Sequence, residues 1–229
     1  DKYSHAISDL ISHFSLDNKI IAIEGIDVSH HGGGNAVASV IRFSMQGPDK
    51  SFYRLFNIPK ELSGNDVGSI KHVLKRRISR AGSMPLPDIF LIDGGKLQLD
   101  AALSILSSEL QKKPILLGIV KGSKRVRSTE TIIAEDGVLE ISKDSPSYIL
   151  LQQIRDESHR FAIAANRKKK NKGVKYSTLD KIAGLGPQKK KNLLKRFKSL
   201  QQIKAASLEE ICLTKGISIK LAKEIKQSL

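Results

Sequence analysis

Two short apolar runs, IAIEGID (21–27) and DIFLID (88–93), each stop on an aspartate, and the pattern around them leaves few folds open. Apolar and β-branched runs bounded by turn residues predict strands at 20–27, 35–45 and 50–58, separated by Gly32-Gly33-Gly34 and Gly47-Pro48-Asp49. Strands so close in sequence form an antiparallel meander. A helix is predicted over 65–79, where Ile70, Val73, Leu74 and Ile78 recur at three- and four-residue spacings and Asn65 or Asp66 can cap the free amides. Next come the strand 88–93, a helix from about 97 to 110 and a strand over 115–120. That alternation is expected of parallel strands joined by crossovers. A hairpin over 125–141 turns at Asp136-Gly137, and a long helix runs from Pro146 to about Ala165.

Meander, helix, strand, helix, strand and closing helix is the order of the ribonuclease H-like fold. Residues 1–166 are therefore expected to form an α/β domain of that kind, a mixed sheet with flanking helices. The polar stretch RKKKNKGVK that follows lacks periodicity, so 167–176 is expected to be a basic linker. Residues 177–229 carry two short helical pairs with a glycine turn in each, the outline of a small all-α domain.

Charge narrows the partner. The 229 residues hold 39 Lys and Arg against 23 acids, a formal +16. From Arg160 to Lys204 there are 15 basic residues and only Asp180 among acids, so almost all of the excess sits in that segment. A solvated basic face is the ordinary reading of a charge run, yet this density favours a polyanion. No apolar run is long enough to span a membrane, and Cys212 alone provides neither an intramolecular disulfide nor a cysteine zinc cage. The expectation is a cytoplasmic protein with no membrane partner.

The glycine-rich stretches do not cradle nucleotides. HGGGNA is followed by β-branched AVASVI rather than a helix, and in LIDGGKLQ Phe90 and Leu97 replace the first glycine and the hydroxyl residue of a P-loop. The strand-end acids carry more. In the ribonuclease H-like order the strands ending at Asp27 and Asp93 are neighbours. Two carboxylates brought together repel unless a proton or a divalent ion lies between them, and hard oxygen ligands favour Mg2+ or Mn2+. A single Asp at a strand end more often begins a turn. Asp66 in SGND has the look of an N-cap residue, while His30 and His31 flank the glycine turn, within reach of a phosphate. On the closing helix, Leu150, Ile154, Glu157 and Phe161 share one stripe, which turns Glu157 toward the apolar side and sets His159 on another stripe with Tyr148, Arg155 and Ala162.

In IAGLGPQKKKNLL (182–194), Gly184 and Gly186 precede a helix that opens with Lys189, Lys190 and Lys191, a helix-hairpin-helix signature. Such glycines let the backbone approach a phosphate, and the free amides of the next helix can bond its oxygens. LTKGISIKLAKEI (213–225) is a weaker copy, with Gly216, with Ser218 in place of the second glycine, and with Lys220. Gly216 also suits a plain helix C-cap.

Taken together, GIDVSH, YRLFNI, GND, LIDGGK, DSP, IRDESHRFAI and IAGLGPQKKKNLL closely resemble the C-terminal half of the UvrC family, from about Ile20 to the end of the chain. The resemblance implies a metal-dependent endonuclease that makes the 5′ incision at damaged double-stranded DNA in nucleotide excision repair, joined to a tandem helix-hairpin-helix module. It implies catalytic acids at Asp27 and Asp93 and a histidine at His159, the three acting as ligands of Mg2+ or Mn2+, with a further acid at Asp66. Lys96, matching the lysine of LIDGGK, would orient phosphate or a carboxylate. The DNA-binding set comprises Lys96, His30, Arg167, Lys168, Lys169, Lys170, Gly184, Gly186, Lys189, Lys190, Lys191, Gly216, Ser218 and Lys220. UvrB is the implied partner, with UvrA loading upstream. Val28, the HGGG run and Lys190, which stands where a small residue is usual, depart from the family pattern. Two rival readings stay open on residues alone: another ribonuclease H-like nuclease, such as a junction resolvase or RNA-cutting enzyme, and a noncatalytic DNA-binding scaffold.

Overall fold

A computed structural model describes residues 2–14, 22–29, 36–121 and 130–229, without the side chains of 166–177. The chain packs as two compact units, Asp1–Ala164 and Ala165–Leu229.

The first unit is built on one mixed sheet. Its centre is β1 (Ala22–Ser29), buried on both faces along nearly its whole length, which is why apolar residues fall on both faces, Ile23 on one and Ile26 on the other. On one side β1 pairs antiparallel with β2 (Val37–Ser44), which in turn pairs with β3 (Gly47–Pro48) and β4 (Arg54–Asn57). On the other it pairs parallel with β5 (Ile89–Asp93), followed by β6 (Ile115–Lys121), β7 (Glu130–Ala134) and β8 (Gly137–Val138). The expected third strand over 50–58 is shorter and is preceded by a 3-10 turn at Lys50–Phe52, where Asp49 accepts from the Ser51 amide.

Two apolar layers cover the sheet. Ile26, Val40, Phe90, Ile92 and Leu116 face α2 (Asp66–Ile78) and α3 (Lys96–Glu109). Asn65 caps α2 by accepting from the Gly68 amide at 2.8 Å. Within this layer Glu24 is fully buried and bonds both Arg42 (2.7 Å) and Arg77 (2.8 Å), while Arg77 also donates to the Met84 and Pro85 carbonyls; the pairing satisfies an acid that burial would otherwise penalise. Ile23, Ile41, Phe43, Leu91 and Leu117 form the opposite layer, against α4 (Pro146–Asp180) and α1 (Lys2–Ser12). Sequence reasoning did not anticipate α1, although Tyr3, Ile7, Leu10 and Ile11 carry the helical spacing. It is tied to α4 through Asp9, which accepts from the Ser147 amide (3.1 Å) and hydroxyl (2.6 Å).

The end expected for α4 near Ala165 needs correction, as does the aperiodic linker over 167–176: the helix continues to Asp180. Lys and Arg are good helix formers and no proline interrupts the run, so a lack of apolar periodicity did not mean a lack of helix.

In the second unit, α5 (Pro187–Arg196), α6 (Leu200–Ala205), α7 (Leu208–Cys212) and α8 (Ile219–Ser228) close over Leu179, Leu185, Leu193, Ile203, Ile211, Ile217 and Ile225. Gly184 and Gly216 adopt φ of +77° and +89°, a conformation that suits glycine alone. They lie 32 residues apart, and so do the buried pairs Leu179/Ile211, Leu185/Ile217 and Leu193/Ile225. The two hairpins are thus two copies of one motif packed on a shared core.

Candidate active site and nucleic-acid interface

Parallel pairing of β1 and β5 brings Ile26 level with Ile92, so Asp27 and Asp93, one residue further on, stand side by side at the same end of the sheet. Both sit in the register of Ile23 and Leu91, the face covered by α4. Asp27 is only 5% exposed. Its Oδ2 accepts from the Ser29 hydroxyl at 2.7 Å and lies 3.5 Å from Nδ1 of His159, which reaches in from α4. Burial, and then the charge of Asp27, push the Asp93 carboxyl above its usual range, with Arg155, Lys121 and His159 pulling the other way.

α4 is held close above this corner. A methyl at Gly25 would lie 2.6 Å from Ile154 Cγ2, so only glycine admits the helix at this height. Glu157, turned toward the apolar side by its helical register, reaches neither acid. It accepts from the Tyr53 hydroxyl at 3.1 Å and is gripped by Arg160, whose hydrogen bonds hold its carboxyl below the usual range. Desolvation and the Glu157 charge in turn push the Tyr53 hydroxyl far up.

Asp66 is exposed at the first turn of α2, directly after the Asn65 cap. β4 runs parallel to β1, so the chain leaves it at the sheet end where β1 also finishes, and α2 begins there. Lys96 opens α3 just after Asp93; its ammonium bonds Asp100 (3.0 Å) and the Glu135 carbonyl (3.2 Å). His30 lies outside the described residues, as do the side chains of Arg167, Lys168, Lys169 and Lys170. Sequence reasoning missed Ser29, Ser39, Glu130 and Arg155. Glu130, a nearly buried acid on β7, forms an ion pair with Arg155 of α4, one turn before His159. A serine set within the apolar run VASVIRF was the one signal available for Ser39.

Among the described residues no three His, Cys, Asp or Glu side chains gather tightly enough to form a ready-made cation cage. The donor set nevertheless fits a hard divalent ion: two carboxylates whose crowding raises one of them, and an imidazole nitrogen at their rim.

In the second unit Gly186 and Ser218 occupy the N-cap positions of α5 and α8. Gly186 has no side chain to cap with, and Pro187 follows it; Ser218 accepts from the Leu221 amide at 3.3 Å. Each hairpin glycine packs on the other copy: methyls at Gly184 and Gly216 would meet Leu221 Cδ1 at 3.7 Å and Lys189 Cγ at 3.5 Å. Lys189 donates to the Gly184 carbonyl, and Lys190, largely buried where a small residue is usual, pairs with Asp180. Lys191 and Lys220 are exposed.

The fold and its motifs define a ribonuclease H-like endonuclease domain followed by a tandem helix-hairpin-helix domain. Residues 12–163 match the UvrC RNAse H endonuclease domain, and 176–229 match the SAM-like helix-hairpin-helix tandem. The chain belongs to the UvrC family. It is 43% identical over 219 residues to UvrABC system protein C of Pseudomonas syringae pv. tomato, covering 94% of this chain and 36% of that protein. With the protein of the same name from Pseudomonas paraeruginosa identity is 42% over 207 residues, 89% of this chain and 34% of the relative. The chain thus spans about a third of the length of the curated relatives it matches. Among solved structures, the catalytic domain of human Endonuclease V superposes with a TM-score of 0.40 at 15% identity, over 75% of this chain and 96% of that one.

Proposed function

We propose that this chain is a divalent-metal-dependent endodeoxyribonuclease that makes the 5′ incision at damaged duplex DNA, acting with UvrB. The observation that carries the reading is the side-by-side placement of Asp27 and Asp93 with His159 reaching them from α4. Asp27, Asp93 and His159 would hold Mg2+ or Mn2+, which lowers the pKa of a bound water and offsets charge on the phosphoryl oxygens. Ser29 donates to Oδ2 of Asp27 and so restrains the carboxylate. His159, more than half exposed, stands at the rim of the pair, where it would complete the ligand shell from the solvent side. Buried apolar walls behind the acids, Ile23, Leu91 and Ile154, keep water from the rear of the site. The two hairpin turns and the exposed lysines that follow them, Lys191 and Lys220, supply sequence-independent phosphate contacts, so binding and cutting divide between the two units.

A nicking assay tests this, run with Mg2+ or Mn2+ on undamaged plasmid and on a lesion-bearing duplex preloaded by UvrA and UvrB. Asp27→Asn and Asp93→Asn are expected to abolish cutting while leaving DNA affinity within a few fold. Full activity of either variant in magnesium would show the site to be misassigned. Cutting of four-way junctions or RNA in preference to damaged duplex would redirect the substrate.

A further inference from the structure

We infer that Ser39 is a positioning residue that sets the height of α4 and thereby holds His159 against Asp27. The inference rests on the nuclease reading above for its consequence, though not for its geometry.

Ser39 is the residue of β2 paired directly with Asp27 of β1. Paired residues share a face, so its side chain points under α4 beside the acid. It is fully buried between apolar neighbours, where a hydroxyl without a partner is penalised. Its hydroxyl donates to the main-chain carbonyl of Ser158 at 2.8 Å, the residue before His159. A helix carbonyl has a second lone pair to offer, so this bond adds to the helical one and need not replace it. Ser158 itself is 1% exposed and turns its hydroxyl back onto the Arg155 carbonyl at 2.8 Å.

So short a side chain reaches helix backbone only if the helix lies very near the strand. Gly25 supplies that nearness one turn earlier: a methyl there would meet Ile154 Cγ2 at 2.6 Å and the Ile154 carbonyl at 3.5 Å. Residues 154 and 158 are therefore pinned to β1 and β2 one helical turn apart. The imidazole that follows them falls 3.5 Å from Asp27. No other described hydrogen bond joins the backbone around His159 to the strand that pairs with Asp27. Loss of the Ser39 hydroxyl frees α4 to ride higher over the site and carries the imidazole away from the carboxylate.

The test uses the full chain. In metal-free protein, Ser39→Ala is expected to move the His159 ring carbon–proton NMR correlation, assigned by its loss in His159→Ala, while those of His5, His13 and His72 stay in place. In single-turnover nicking, Ser39→Ala is expected to cost about 10-fold at unchanged DNA affinity, the scale of a small misplacement of a reacting group. The same change made in His159→Ala is expected to cost less than about twofold, because two residues acting through one group do not add. Should the alanine variant fold poorly, Ser39→Cys, which fills the site with a somewhat larger side chain and a much weaker donor, is read in the same way. An unmoved His159 correlation, or an equal penalty with and without His159, would overturn the inference. A wild-type chain that never nicks would sink the nuclease reading instead, and the ring correlation would then decide the placement by itself.

Discussion

Asp93 is the residue at which folding and function conflict. Burial and the neighbouring Asp27 raise its carboxyl above the ordinary range, so the folded chain binds a proton there more readily than the unfolded chain does. The charge is then a cost to folding, present above the folded pKa and gone below the unfolded one. In metal-free buffer near neutrality Asp93→Asn is expected to melt higher than the wild type, with the gap closing as pH falls through the carboxylate range. Saturating Mn2+ should narrow it too, by stabilising only the wild type. A variant that melts lower than wild type at every pH would contradict this electrostatic account. His159 and Glu157 separate in the same physical terms. The first has a carboxylate 3.5 Å away and open solvent on its other side, whereas the second is already engaged by Tyr53 and Arg160. His159→Ala is expected to lower single-turnover nicking roughly 10²-fold or more. Glu157→Gln should cost far less, and what it does cost should appear in the melting temperature. A silent His159→Ala beside a dead Glu157→Gln would reverse these roles.

At the scale of elements, α4 is the part on which the site depends, and Gly25 is where its seat is narrowest. Gly25→Ala places a methyl 2.6 Å from a branched side chain that has little freedom to turn away. It is expected to destabilise by about 1–3 kcal/mol, the usual scale for overpacking, and to slow nicking by displacing His159. Pairing it with Ile154→Ala opens the space again and should recover nicking more than stability; melting curves and single-turnover rates on the three proteins check this. How much of the arrangement could be read in advance follows from what each signal encodes. Apolar runs and helical spacings disclosed β1, β2, β5, β6, α2 and α3, and with them the neighbouring positions of Asp27 and Asp93, because strand order fixes which ends meet. Contacts between elements distant in sequence left no local trace. Ser39 to Ser158, Glu130 to Arg155 and Gly25 beneath Ile154 each join positions more than twenty residues apart. Helical register put Glu157 on the apolar side, yet a stripe says only that a side chain faces inward and not which neighbour it meets. α1 and the far half of α4 were missed for opposite reasons: in one the apolar spacing was present but brief, in the other the sequence is basic and carries no apolar spacing to reveal a helix.

Across the whole molecule the charge divides as the two units do, the first nearly balanced and the second strongly basic, so affinity for DNA and the chemistry on it can be altered separately. Not every lysine near the hairpins is available to a phosphate. Lys190 is mostly buried against Asp180 within the first hairpin, and Lys189 donates to the Gly184 carbonyl while its stem packs by Gly216 of the second copy, so both are occupied inside the domain. Lys191 and Lys220, by contrast, are exposed on the helices that leave the two turns. Each phosphate contact adds close to one unit to the slope of log affinity against log salt. Lys191→Ala and Lys220→Ala are therefore each expected to lower that slope by about one, weaken binding alike on any duplex sequence, and leave the nicking rate at saturating DNA unchanged. Lys190→Ala should instead lower the melting temperature of the second unit, and weaken DNA binding through the lost packing of the first hairpin rather than through one fewer ion released. Fluorescence anisotropy across a salt series, read beside thermal melts, separates the two cases. If Lys190→Ala reduces the slope while Lys191→Ala does not, the roles assigned to buried and exposed lysines are reversed.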